Sequence, residues 1–367
     1  MDKISRLTIK GFKSIRSLDQ LDLNSLNVLI GSNGAGKSNF ISFFRMLHAL
    51  VEERLQLWVA KQGGADRIVS FGIKETPQIE ISIRFGDNGY DLVLEPDAEG
   101  GFIFAGETLY SKGSYDGVAQ PRQGSGHKES RLRREAESGT SGKIASYCNG
   151  AIAGWKVYHF HDTSDTAVVK RLGSVHDNAY LRPDASNLAA FLYHLKQAFP
   201  EAYGQIRKVV RLAIPFFDDF VLTPNKLPTE EEQIRLLWKQ KESDYPFWPS
   251  QLSDGSIRFI CLATALLQPA PPSTIIIDEP ELGLHPYAIA LLASLLRSAS
   301  KRMQVIVSTQ SVPLVNEFSI EDLIIVEREE NASVFKRYGA DDFKGWLDEY
   351  SVGELWEKNI LGGRPGR

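Results

Sequence analysis

Apolar and polar residues alternate through the start of the chain. Residues 4-ISRLTIKGFKSI-15 have the period-two pattern of a strand, and 20-QLDLNSLNVLI-30 carries it into a buried strand end. A glycine-rich stretch, 31-GSNGAGKSNF-40, comes next. From 38-SNFISFFRMLHALVEERLQLWVA-60 the apolar residues recur at helical spacing. The predicted order is strand, glycine-rich loop, helix.

Strand patterns return at 78-QIEISIRF-85, 90-YDLVLEP-96 and 102-FIFAGETLY-110, separated by the turn signals 87-DNG-89 and 99-EGG-101. They predict an antiparallel, β-rich lobe. Residues 111–150 include 121-PRQGSGHKESRLRREAESGTSG-142 and read as a mobile polar insertion. A strand is expected at 155-WKVYHF-160, helix over most of 186–213, and a strand at 233-QIRLLWKQ-240. The last third alternates helix and buried strand. The helices are 256-SIRFICLATALLQ-268 and 286–300; the strands are 274-TIIID-278, 304-QVIVST-309 and 322-DLIIVERE-329. A polar and aromatic tail, 341-DDFKGWLDEYSVGELWEKN-359, closes the chain. No heptad pattern persists, which excludes a long coiled-coil arm.

Composition narrows the class. The 367 residues are 43% hydrophobic and 24% charged, enough for one large or two ordinary domains. A net charge of −4 argues against a basic coat for nucleic acid, though not against a local patch. The two cysteines, Cys148 and Cys261, have no metal-ligand spacing and suggest a reduced, cytoplasmic chain. The N-terminus lacks an apolar signal core, and no apolar run approaches the ~20 residues of a membrane helix.

Four motifs carry chemistry. The first fits G-x-x-x-x-G-K-[ST] in its required context. Gly31, Gly34 and Gly36 let backbone amides turn toward phosphate, and the following helix end adds partial positive charge. The cradle runs through Ser32, Asn33, Gly34, Ala35, Gly36, Lys37, Ser38 and Asn39. Lys37 would neutralise the β- and γ-phosphates of ATP, Ser38 would hold Mg²⁺, and Asn33 could bond a phosphate. The second motif, 274-TIIIDEPELGLHP-286, ends an apolar strand in two acids. Asp278 would reach Mg²⁺, and Glu279 would polarise the attacking water as general base. In the third, 251-QLSDGSIRF-259, Ser253, Asp254 and Gly255 precede a helix and form a second phosphate-binding terminus. One chain already has a phosphate loop, so this terminus is best explained by the nucleotide of a partner subunit. A plain helix cap is the simpler alternative. The fourth, 305-VIVSTQS-311, ends a strand in Gln310, which could sense the γ-phosphate or orient water.

Taken in this order, the motifs resemble the ABC-type ATPase heads of the SMC, RecF and OLD group, in particular compact bacterial ATPases of the AAA-21 type. GSNGAGKS looks like their Walker A, LSDGS like their signature, IIIDEPELGLHP like Walker B with the D-loop, and VSTQS like the switch. The resemblance covers the chain apart from 111–150. It implies an α/β P-loop NTPase: a two-lobed head with a mixed central sheet, an antiparallel β-rich lobe and a helical subdomain. The expected organisation is one head over 1–367. It comprises a β lobe with Walker A (1–110), the insertion (111–150), a helical lobe (151–250), the signature-to-switch segment (251–340) and a tail (341–367). By resemblance, Lys13 of LTIKGFKSI lies near the nucleotide, and His161 of 155-WKVYHFHDTSD-165 is the Q-loop candidate, with Asp162 behind it. Three positions depart from transporter ATPases: Asp254 stands for Gly, His285 for the D-loop Asp, and Gln310 for the switch His.

The resemblance further implies a homodimer closed head to tail around two ATP molecules, or a higher homo-oligomer. Many such ATPases sit in bacterial defence systems beside a nuclease. About 40 residues follow the last core strand, fewer than a domain of usual size. A nuclease, suspected of TOPRIM type, is therefore expected on a separate chain. Alternatives are a RecF-like DNA repair ATPase without a nuclease and, against the β-rich lobe, a transporter subunit. The cluster Lys128, Arg131, Arg133 and Arg134 could meet nucleic-acid phosphates. Interleaved Glu129, Glu135 and Glu137 favour a solvated face instead.

Overall fold

The computed structural model describes residues 3–111, 124–138 and 142–363. In chain order the elements begin with β1 (Arg6–Phe12), β2 (Ile15–Asp22), β3 (Leu26–Ile30), α1 (Lys37–Val51) and α2 (Leu55–Lys61). Then come β4 (Ile79–Phe85), β5 (Asn88–Pro96), β6 (Phe102–Ser111), α3 (Leu132–Ser138), α4 (Gly142–Ala153) and β7 (Trp155–Tyr158). The middle holds β8 (Gly173–Ser174), α5 (Leu188–Ala198), α6 (Pro200–Ala213), β9 (Phe217–Val221), β10 (Asn225–Lys226), β11 (Glu232–Ile234) and β12 (Leu237–Gln240). The last third has α7 (Asp254–Leu267), β13 (Thr274–Asp278), α8 (Pro286–Ser300), β14 (Gln304–Thr309) and α9 (Val312–Val315). It closes with β15 (Leu323–Glu329), β16 (Ala332–Lys336) and α10 (Val352–Glu357). Among the described residues no helix is long and apolar enough to cross a membrane.

The chain divides into two compact units. The first is Met1–Val157, Pro272–Ile276 and Met303–Arg367; the second is Tyr158–Pro271 and Ile277–Arg302. The predicted lobes followed chain order, but strand pairing cuts across it. The six-stranded sheet has the order β16-β15-β3-β14-β13-β7, so strands far apart in sequence return to the first unit. β14 and β15 flank β3 in parallel, Ile306 against Asn27 and Ile324 against Leu29, and β16 adds an antiparallel edge. The mixed sheet expected from the motifs is present.

The second sheet of the first unit is antiparallel, in the order β2-β1-β4-β5-β6. Its alternation is clean: Ile79, Ile81, Ile83 and Phe85 of β4 are buried while the residues between them are not. This is the pattern of a sheet with one face on a core. α1 supplies that core with phenylalanines facing several directions. Phe43 meets Phe12 of β1 edge-on at 5.8 Å, Phe44 meets Trp155 of β7 at 5.3 Å, and Phe40 meets Phe335 of β16 at 5.3 Å. One helix thereby ties the antiparallel sheet to the mixed one.

In the second unit α6 packs on α7 and α7 on α8. The antiparallel pair β9 and β12 carries its own aromatic stack, with Trp238 at 4.8 Å from Phe247 and 6.3 Å from Phe217. Phe247 is therefore a packing residue. Trp248 is exposed, with Arg235 over its ring at 4.4 Å.

Several predicted elements differ in detail. The helix foreseen over 38–60 breaks at Glu53, whose φ of +55° is left-handed, so α1 and α2 are separate. The strand foreseen at 233–240 is two strands in two sheets, β11 and β12. Within the predicted mobile insertion, residues 132–138 and 142–153 are helical; 112–123 and 139–141 lie outside the described residues. Leu132, Ala145, Cys148 and Ile152 anchor those helices in the core. The basic cluster is largely paired: Lys128 with Asp97 and Glu99, Arg133 with Glu137 and Arg134 with Glu53. Glu129 accepts the first backbone amides of α2, from Leu55 at 2.9 Å and Gln56 at 3.1 Å.

Phe44 is fully buried at the junction of the two sheets. Phe44→Ala is expected to cost about 3–5 kcal/mol of unfolding free energy, measured by urea titration. A loss below about 1 kcal/mol would show that α1 does not hold the sheets together.

Candidate functional site

The phosphate loop joins the end of β3 to the start of α1. Gly36 caps the helix with φ +115°, and a Cβ there would lie 2.0 Å from Ser333 Oγ. Only glycine fits that turn. A relay of hydrogen bonds holds it. Asn39 Nδ2 donates to Ser14 Oγ at 2.7 Å, Ser14 Oγ lies 2.7 Å from Ser333 Oγ, and Ser333 Oγ donates to the Ala35 carbonyl at 2.6 Å. Proton count gives the direction. Ser14 has accepted from Asn39 and Ser333 gives its proton to Ala35, so Ser14 donates to Ser333. Arg328 adds a donor to the Gly34 carbonyl at 3.3 Å.

Lys37 is buried and its ammonium donates to the carbonyls of Gly31 at 2.7 Å and Ser32 at 3.0 Å. Both carbonyls belong to the loop itself, so they hold the ammonium at its mouth. Asn33, Gly34 and Ser38 are exposed, and a Cβ built at Gly34 meets nothing within 4 Å. The cradle is thus pinned from behind and open in front, which fits an anion the size of a phosphate chain. Ser38 stands on the open side as a candidate Mg²⁺ ligand.

Two cavities flank the loop within the first unit. One, of about 540 Å³, is lined by Lys13, Asn39, Gln62, Asp66, Arg67 and Phe71, among others. Lys13 Nζ donates to Ser42 Oγ at 2.7 Å and to Gln62 Oε1 at 3.3 Å. Burial, and then the charge of Arg45, push its pKa below the ordinary lysine value. An exposed aromatic, two cations and a carboxylate beside Asn39 could hold the base and sugar of a nucleotide. The other cavity, about 370 Å³, brings Gln310 together with Ser32 and Asn33, against Val312, Trp356, Glu357 and Gly363. There the Ser32 amide donates to the Gly363 carbonyl at 2.8 Å.

The remaining candidates lie in the second unit. Asp278 ends β13, and its carbonyl accepts a hydrogen bond from His161 Nε2 at 2.9 Å. That contact fixes His161 in the tautomer protonated at Nε2 or in the doubly protonated form. His161 also stacks on His159 at 4.2 Å. Asp162 is occupied nearby by Ser164, through its amide at 3.1 Å and hydroxyl at 2.7 Å. Glu279 has φ +43°, a left-handed backbone for a non-glycine residue. Such a conformation costs about 1–3 kcal/mol and clusters at functional sites.

Ser253 is the N-cap of α7 and accepts from the Ser256 amide at 3.2 Å. It is therefore a helix cap in its own chain, with Ser253 and Asp254 exposed at the tip. The helix starts at Asp254, two residues before the predicted Ser256. A Cβ on Gly255 would lie 2.2 Å from the Gly283 carbonyl, so glycine is what lets the signature meet the D-loop turn. His285 caps α8, its Nδ1 accepting from Tyr287 N at 3.3 Å. His285, the D-loop position, is thus held at the start of α8 by this capping contact.

Residues that sequence reasoning missed are mostly remote partners of the motifs. Arg258, one turn into α7, donates to the carbonyls of Phe160 at 2.9 Å, His161 at 3.2 Å and Leu282. Only its place in SDGSIRF hinted at a role. Ser14 directly follows the noted Lys13. Nothing local marked Ser333, Arg328 or the recess residues Gln62 and Arg67.

A phosphate loop on a mixed sheet, with an acidic strand end and a capped helix N-terminus elsewhere in the chain, is the pattern of a P-loop ATPase. The chain belongs to the AAA_21 family, described as AAA domain, putative AbiEii toxin, Type IV TA system; the family model matches residues 26–316. Its fold is similar to the SmcHead bound to the C-winged helix domain of ScpA, at 15% identity and TM-score 0.57, covering 92% of this chain and 99% of that one. It is also similar to an Smc head domain with an extended coiled coil bound to the C-terminal domain of ScpA derived from Pyrococcus furiosus. That match has 14% identity and TM-score 0.56, covering 95% of this chain and 99% of that one. No curated protein matches the chain.

Ser333→Ala removes the donor to Ala35. It is expected to weaken ATP binding about fivefold, the equivalent of one hydrogen bond of about 1 kcal/mol. Titration of a fluorescent ATP analogue reads this, and an unchanged affinity would show that the serine relay does not shape the loop.

Proposed function

We propose that this chain is an ATP-operated molecular switch that closes as a head-to-tail homodimer around two ATP molecules and governs a separate nuclease effector. The observation that carries the reading is the presence, in addition to one phosphate loop, of a second helix N-terminus exposed at Ser253 and Asp254. A single chain has use for one; two copies facing each other use both.

Lys37 would hold the β- and γ-phosphates, and Asn33 and Gln310 would bond the γ-phosphate end. Ser38 and Asp278 would hold Mg²⁺, which when bound neutralises charge developing on the phosphates. Glu279 would accept the proton of the attacking water. A strained backbone at Glu279 suits a residue whose carboxylate must be aimed rather than packed. With Gln310 in place of histidine, the switch donates a hydrogen bond but does not titrate, so turnover should be slow.

The family description, a putative AbiEii toxin of a type IV TA system, supports a setting in bacterial conflict such as anti-phage defence. The solved Smc heads are bound to domains of ScpA, which supports the idea that such a head works through a partner protein. A RecF-like DNA clamp is the second reading, favoured by the likeness to Smc heads. ATPase activity stimulated by duplex DNA and lost with salt would select it.

Glu279→Gln should hydrolyse ATP at least about 100-fold more slowly while trapping an ATP-bound dimer. Sedimentation with saturating ATP and Mg²⁺ checks this; a variant that stays monomeric would sink the sandwich. Isolation of the trapped dimer from its native host should bring down a nuclease.

A further inference from the structure

The signature helix of this chain opens with an acid. Asp254 sits in the first turn of α7, where its charge suits the helix's own positive end. The same charge is a handicap if that end must receive a phosphate, because two anions about 4 Å apart repel by about 4 kcal/mol near a protein surface. The second unit contains a residue placed to offset it. Lys170 ends the 3₁₀ turn Val168–Lys170, and its side chain is only 6% exposed. Its ammonium lies 3.7 Å from Asp254 and 3.8 Å from Asp165, whose side chains are 65% and 94% exposed. Among the described residues no closer partner of that ammonium is found.

This is an unusual way to keep a lysine. Lysine is almost never fully buried unless paired, and buried charges are ordinarily held by close hydrogen bonds. Here the stem is enclosed while both counter-charges reach in from solvent at long range. Such a pair adds little to stability, since exposed carboxylates are well hydrated. What the arrangement does secure is the position of a positive charge at the tip of the signature helix.

We propose that Lys170 is a positioning residue that neutralises Asp254, and so allows an acidic signature to accept the phosphate of a nucleotide held on a second copy of the chain. The inference rests on the dimer reading above. It explains how Asp254 can stand where transporter ATPases have glycine: the chain carries its compensating charge on the Val168–Lys170 turn, more than 80 residues earlier in sequence.

The test is a double-mutant cycle in the Glu279→Gln background, reading by sedimentation the ATP concentration that gives half-maximal dimer. Lys170→Met should raise it about tenfold or more. Lys170→Arg, which keeps the charge, should stay within about twofold, and Lys170→Met with Asp254→Gly should return close to the parent. Asp254→Asn alone, at an exposed position that does not threaten the fold, should lower the ATP needed. A structural role for Lys170 would lower the melting temperature without rescue by Asp254→Gly. Either an unrescued double variant or an Asp254→Asn variant that dimerises much less readily would overturn the proposal while leaving the dimer standing. A Glu279→Gln parent that stays monomeric with ATP would overturn both.

Discussion

The chain must pass from a fully buried strand into a buried helix within six residues, and leave an open, positively polarised end between them. Gly36 makes this possible with a left-handed backbone that no side chain could share, since Ser333 already fills the space. The turn is then held by Ser14 and Ser333, two hydroxyls more than 300 residues apart in sequence. Their bond forms only when β16 is in place, and β16 is in place only when β15 pairs with β3. The loop is therefore an outcome of the finished sheet. A short glycine-rich peptide would be free to adopt many conformations, and the cost of ordering it would fall on ligand binding. Here folding has already met that cost.

α1 carries the same logic into the core. Its first residue is Lys37, and its phenylalanines reach both sheets. A helix that is apolar on several faces can be stable only if it is enclosed. Enclosing it fixes the axis along which its N-terminus points, and so the place where an anion is favoured. Stability and the open N-terminal end thus share one element.

Contiguous motifs were legible in the sequence because each is a local solution to a local problem. A phosphate loop needs its glycines and lysine within eight positions, and an acidic pair must follow its strand directly. The individual strands and the antiparallel β lobe followed from periodicity, and the mixed sheet from the resemblance of the motifs. What stayed hidden was assembled through space. Ser333 and Arg328 reach the loop from the far end of the chain, and Arg258 gains its meaning from the carbonyls of Phe160, His161 and Leu282. The two-unit division was hidden for a similar reason. β14 and the start of β13 fall in the first unit, whereas the end of β13 and the helix that follows it fall in the second. The break at Glu53 and the helices within the polar insertion show the opposite failure. There, local composition pointed one way and tertiary packing of Leu132, Cys148 and Ile152 decided otherwise.

In the second unit the motif segments are joined through backbone carbonyls. His161 holds the carbonyl of Asp278, and Arg258 holds those of Phe160, His161 and Leu282. Gly255 lies directly against Gly283. The acidic strand end, the D-loop and the tip of the signature helix are thus bound to one another through one guanidinium, one imidazole and one glycine contact. A carbonyl cannot rotate away without moving its peptide plane, so these links transmit displacement of the main chain itself. On the proposed cycle, a shift in the turn at Glu279 during hydrolysis would be felt toward Ser253 and Asp254 through these links.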